Sequence, residues 1–148
     1  MRGLVVACAL ACAFAAQAAP GEEDDAGIDP EYARARQALE AKDWRAAIGL
    51  LNSAALRDTR NPDIQNYLGY AYRNSGDMAF AFRHYHRALQ INARHRGAHE
   101  YLGEAYLMTG NLAKAEEHLA LLGRICLIPC DEFGLLRDKI AAFRAKQR

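Results

Sequence analysis

Residues 67–76 read YLGYAYRNSG, and residues 101–110 read YLGEAYLMTG. The likeness extends outward from these two decapeptides. Residues 62–95 align with residues 96–129 without a gap, and ten of the 34 positions are identical. Tyr67, Leu68, Gly69, Ala71, Tyr72, Gly76, Ala79, Ala81, His84 and Ile91 return as Tyr101, Leu102, Gly103, Ala105, Tyr106, Gly110, Ala113, Ala115, His118 and Ile125. Self-similarity at one fixed period of this length marks a repeat architecture, in which each unit buries its apolar face against its neighbours.

The spacing inside the unit predicts two helices. Leu68, Ala71, Tyr72 and Ser75 fall on one stripe of a 3.6-residue helix. Gly76-Asp77 breaks that helix, and the Asp77 carboxylate can cap the next one. Ala81, Phe82, Tyr85, Ala88 and Leu89 form a second stripe. Gly69 and Ala81 are small where the two helices must approach.

A 34-residue period carrying L-G-x2-Y, then Gly, then A-x3-aromatic resembles the tetratricopeptide repeat (TPR). The resemblance implies an all-α, right-handed superhelix of three helical hairpins (28–61, 62–95 and 96–129) followed by a capping helix over 131–148. The first hairpin is the weakest match. Asp43-Trp44 stands where Asp77-Met78 stands, and Ala47, Ile48, Leu51 and Ala54 fill the second stripe, but Arg34, Ala35 and Ala38 replace the Leu-Gly and Tyr of the first helix. Pro30 suits the first turn of a helix. In the final segment Phe133, Leu136, Ile140 and Phe143 recur at helical spacing.

The family uses the inner, first-helix face as a ligand groove, at repeat positions 2, 5, 9, 12 and 13. Carried over residue by residue, these are Asp63, Asn66, Tyr70, Arg73 and Asn74, then Gly97, Glu100, Glu104, Leu107 and Met108, with Tyr32, Arg36, Leu39 and Glu40 extending the row. The expected partner-binding set is Tyr32, Arg36, Asn66, Tyr70, Arg73, Asn74, Glu100, Glu104 and Met108, for a protein or peptide partner. The ninth positions hold Arg36, Tyr70 and Glu104, which disfavours the family's carboxylate-clamp version.

Other features bound the function. The chain has 148 residues, 51% hydrophobic and 25% charged, the balance of a globular domain. Lys plus Arg is 19 and Asp plus Glu is 18, so bulk charge does not call for nucleic acid. Arg2, a charge-free run from Gly3 to Ala16 and the small-x-small Ala16-Gln17-Ala18 have the anatomy of a signal peptide over 1–18, with cleavage after Ala18. An uncleaved anchor and lipid attachment at Cys12 are the alternatives. Either would be the chain's expected membrane association. Residues 19–27, with Glu22, Glu23, Asp24 and Asp25, read as an acidic disordered linker. The expected location is periplasmic.

Export leaves Cys126 and Cys130, separated as C-x3-C with Pro129 between them. They are read as a structural disulfide, against a thiol-redox or metal-handling pair and two reduced thiols. His84 and His118 share a repeat position and are expected to stack on neighbouring second helices. Arg83, Arg87, Arg94 and Arg96 with their histidines suggest one basic surface. No G-x-S-x-G, phosphate loop or H-E-x-x-H occurs. The expectation is a non-enzymatic interaction module without cofactor or metal. Its rivals are thiol or metal chemistry at Cys126 and Cys130, and a self-associating structural subunit.

Overall fold

The computed structural model describes residues 29–128 and 130–147. The expected leader, the acidic linker and Pro129 lie outside the described residues. Seven helices follow in order: α1 (Pro30–Glu40), α2 (Trp44–Arg57), α3 (Pro62–Ser75), α4 (Met78–Ile91), α5 (Arg96–Met108), α6 (Leu112–Ile125) and α7 (Asp131–Lys146). There is no strand among the described residues. The helices pair as antiparallel hairpins and stack side by side into an all-α superhelical array.

Polar side chains set the helix starts. Asp29, Asp43, Asn61, Asp77, His95 and Asn111 each accept backbone N–H groups of the first turn that follows. Pro30 and Pro62 occupy first turns, where a missing N–H costs nothing. The turn inside each hairpin needs a left-handed residue. Gly76 (φ 94°) and Gly110 (φ 79°) supply it in the two strong repeats, and Lys42 (φ 59°) takes the equivalent place in the first.

The links between hairpins also repeat. Asp58, Asn92 and Cys126 cap α2, α4 and α6 at the same interval, each sending its N–H to a carbonyl four residues back. Asp58 and Asn92 then close a local turn by accepting from Arg60 N and Arg94 N. Cys126 has no such carboxylate or amide. Its Sγ is bonded to that of Cys130 instead, with the Cα atoms 5.9 Å apart.

The core is quasi-one-dimensional. Ala35, Leu39, Ala47, Leu51, Ala54, Ile64, Leu68 and Ala71 join α1, α2 and α3. Ala81, Tyr85, Leu102 and Ala105 join α4 to α5. Leu107, Ala115, Leu122, Leu136 and Ile140 join α5 and α6 to α7. Gly69 is required by contact: a Cβ there would lie 2.5 Å from the Tyr85 ring. At Gly103 the intruding atoms belong to Leu136. Leu136 stands one period after Leu102, so α7 sits where the first helix of a further repeat would sit. Ser75, expected on the buried stripe, is exposed and bonds back to the Tyr72 carbonyl.

Candidate functional site

Helices α1, α3, α5 and α7 carry the first-helix face, and α3–α5 and α5–α7 touch directly. Its centre is an aromatic and ionic stack. Tyr70 lies edge-on to Trp44 at 5.8 Å and 5.1 Å from Tyr101. The Arg73 guanidinium carbon sits 5.4 Å from both tyrosine rings. Arg73 Nη1 donates to Glu104 Oε2, and Lys139 from α7 pairs with Glu104 and lies 3.9 Å from Glu100. Burial raises the Glu100 carboxyl, against the pull of Lys139, and lowers the Lys139 ammonium. Burial, with Glu100 next, pushes the Tyr101 phenol up to about 12.

This arrangement revises the expected binding row. Asn66, Arg73, Glu100 and Glu104 are buried, so Asn66, Glu100 and Glu104 reach the face only as lining of its concavities, and Arg73 lies behind it. The reason is lateral. Each first helix is covered by the next, and the charged positions of α3 and α5 meet one another and α7. Asn74 is exposed but bonds to the Tyr70 carbonyl of its own helix. Tyr70 is half-buried between its aromatic neighbours. Tyr32 is half-buried against Tyr67 at 6.1 Å. Arg36 and Met108 remain exposed.

Three concavities open on this face. One, about 450 Å³, is polar and lies between α3, α5 and the start of α7, with Asp63, Asn66, Arg96, Glu100 and Glu132 in its lining. The other two are smaller. The first of these, about 220 Å³, is lined by Arg36, Leu39, Glu40, Tyr67, Tyr70 and Tyr101. The second, about 310 Å³, lies between α5 and α7, with Leu107, Met108, Ala142 and Phe143 inside and Lys139 and Lys146 at its rim. Tyr67 and Tyr101 were absent from the expected row, although both occupy the sixth position of their repeats. Lys139, Phe143 and Lys146 were missed because α7 is read as a cap and the groove face is not carried one period further into it.

The histidines do not stack on one another as expected. Each docks on the first helix of its own hairpin. His84 Nδ1 bonds to Gln65 Oε1 at 2.9 Å, and its ring stacks on Tyr72 at 5.3 Å. His118 Nδ1 meets His99 Nδ1 at 2.9 Å, and His118 stacks on Tyr106. His99 Nε2–H donates to the Ala93 carbonyl, so His99 accepts at Nδ1 and His118 donates. Burial lowers both imidazoles, and His118 falls to about 4.

The expected single basic surface is two separate ones. Arg83, His84, His86 and Arg87 surround a concavity of about 450 Å³ on the α3–α4 side. Arg94 and Arg96 lie at the α4–α5 turn, near Ile125 and Glu132. Among the described residues no group of three or more His, Cys, Asp and Glu is placed to hold a metal ion. No described helix is long and apolar enough to cross a membrane.

Residues 73–125 match the sequence profile of the tetratricopeptide-repeat family. The array has the TPR-type all-α fold. No match is found among curated protein sequences. The TPR fold is shared with solved structures. The translocator chaperone SycD of Yersinia enterocolitica superposes with a TM-score of 0.70 at 18% identity, over 79% of this chain and 83% of that one. SycD in complex with a peptide of the translocator YopD gives 0.67 at 19% identity, over 80% and 92%. The first TPR of Spaghetti (RPAP3), bound to the HSP90 peptide SRMEEVD, gives 0.67 at 18% identity, over 78% and 90%. At these identities the likeness is one of fold.

Proposed function

We propose that this TPR array is a protein-interaction module that receives an extended peptide segment on its first-helix face and performs no chemistry itself. The observation that carries the reading is the tyrosine-lined concavity. Tyr67, Tyr70 and Tyr101 are held rigidly by ring–ring contacts and by Arg73, while their accessible edges face the same opening. Rigid aromatics bind at low ordering cost, and tyrosine is a frequent interface hot spot. Arg36 and Glu40 are exposed at the rim and make no ion pair among the described residues. They can read polar groups on either side of an apolar anchor. That SycD and the RPAP3 domain are seen with peptides supports this use of the fold.

Peptides selected from a random library against the full chain supply the test. Arg36→Glu leaves the fold intact, because the side chain is exposed, and weakens a selected peptide by roughly tenfold or more, the scale of one interface hot spot. Unchanged affinity in Arg36→Glu and in Tyr67→Phe/Glu40→Ala would move the binding surface elsewhere.

Export is part of the same proposal. The anatomy of residues 2–18 supports it, with cleavage after Ala18 into an oxidising compartment where Cys126–Cys130 persists. The intact mass of the protein from its envelope fraction begins at Ala19 on this reading. A full-length mass contradicts it.

A further inference from the structure

The α6–α7 loop presents an unusual surface. Leu127 is 95% exposed and Ile128 is 80% exposed, side by side. The other large exposed apolar residues, Leu56, Met108, Leu135 and Phe80, stand apart from one another in sequence. The pair lies inside the ring closed by Cys126 and Cys130. In the equivalent links a polar side chain, Asp58 or Asn92, closes the turn, and the positions matching Leu127 and Ile128 are Thr59 and Arg60, then Ala93 and Arg94. The repeat therefore does not need aliphatic residues here.

Cations surround the base of this tip. Arg94 Nη2 lies 3.5 Å from the Ile125 carbonyl, and Arg124 is exposed in the last turn of α6. Neither makes an ion pair among the described residues. Arg96 is paired with Glu132 at 3.6 Å, and Asp131 is the remaining acid beside the loop. The local balance is one positive charge.

We propose that the exposed Leu127–Ile128 pair is a contact for an anionic lipid surface, in which the two side chains enter the headgroup region and Arg94 and Arg124 meet lipid phosphates. Three features favour a bilayer over a protein. The exposed pair is two residues wide, far short of the roughly 1,000 Å² that a specific protein interface needs. It is aliphatic, whereas protein hot spots favour Trp, Tyr and Arg and under-use Leu. A bilayer needs no complementary cavity, and exposed aliphatic residues with adjacent cations are the elements that interfacial binding uses. The disulfide orders the tip in advance, so little freedom is lost on contact. The hold is weak and reversible, and it orients the array relative to the surface. The inference does not depend on the peptide reading of the tyrosine-lined concavity.

A site-specific probe tests it in the full chain. Trp44→Phe removes the native indole, and Leu127→Trp places one at the tip. With vesicles of phosphatidylethanolamine and phosphatidylglycerol bearing brominated acyl chains, emission from the tip shifts to the blue and is quenched. Emission unchanged by these vesicles overturns the proposal, even if the chain sediments with them through another segment. Arg94→Ala with Arg124→Ala lowers the quenching several-fold on anionic vesicles. Equal quenching on phosphatidylcholine vesicles contradicts the role given to the arginines. Should Leu127→Ser/Ile128→Ser instead turn a dimer into a monomer in sedimentation and leave vesicle binding unchanged, the tip is a contact between two copies and the lipid proposal fails.

Discussion

Lys42 is the one non-glycine residue with positive φ among the described residues, at the place where Gly76 and Gly110 serve the other hairpins. A side chain in the left-handed region costs about 1 kcal/mol or more. Lys42→Gly should therefore stabilise the fold by roughly 0.5–1 kcal/mol, less than the full strain because glycine loses more freedom on folding. A rise in the urea midpoint at unchanged slope is the expected result. The glycines give the converse experiment. Gly69→Ala drives a Cβ into the buried Tyr85 ring and should cost about 1–3 kcal/mol as an overpacked contact. Gly49 has open space around its Cβ position within α2, so Gly49→Ala should gain about 0.5–1 kcal/mol. A common sign for the two would show that helix propensity, not interhelix contact, governs these sites. Gly69 was legible because its identity recurs one period later. The burial of Arg73 and Glu104 was not legible, because periodicity places a residue on a face but does not say how closely the next helix covers it.

At the scale of elements, α6 differs from α2 and α4 in how it hands the chain on. The Asx turns at Asp58 and Asn92 are replaced by a covalent ring between Cys126 and Cys130. The ring is short, so its removal should cost about 2 kcal/mol in the chain-entropy account. Reduced protein, or Cys126→Ser/Cys130→Ser, should melt several degrees lower, with hydrogen exchange faster first in α7, the helix that the ring anchors. Peptide affinity should be unchanged, which separates a staple from thiol chemistry. The α5–α6 hairpin carries a titratable joint. His118 is buried and takes up its second ring proton only near pH 4, against 6.5 for the free group, because of burial and then the charge of His99. The unfolded chain therefore takes up a proton at higher pH than the folded one. Stability is complete above pH 6.5 and is lost as pH falls from 6.5 through about 4. His118→Asn keeps a donor toward His99 and should flatten the fall in Tm between pH 7 and pH 5. An equally steep fall would place the titration elsewhere. The two strong hairpins could be read before the structure because both carry the full period. The His99–His118 bond could not: it repeats the Gln65–His84 pairing one period later, but periodicity aligns the positions without saying that their side chains meet.

Across the whole molecule, the three cores are linked in series, and the first-helix face runs along all of them. The face has two opposite characters. Its charge network, with Arg73, Glu100 and Glu104 buried and the more exposed Lys139 reaching in from α7, ties α3, α5 and α7 together. Removing one member leaves an uncompensated buried charge, so such variants report on folding. Its open part is where recognition belongs: Arg36 and Glu40 are exposed and can change without loss of the fold, while the three tyrosines beside them also pack on the core. The most direct measurement is an amide and side-chain NMR titration of the full chain with a peptide selected from a random library. The account predicts that shifts concentrate at Arg36, Glu40, Tyr67, Tyr70 and Tyr101, while the Arg83–Arg87 face of α4 and the Leu127–Ile128 tip stay unmoved. Shifts confined to either of those two surfaces, with the tyrosine concavity silent, would contradict it.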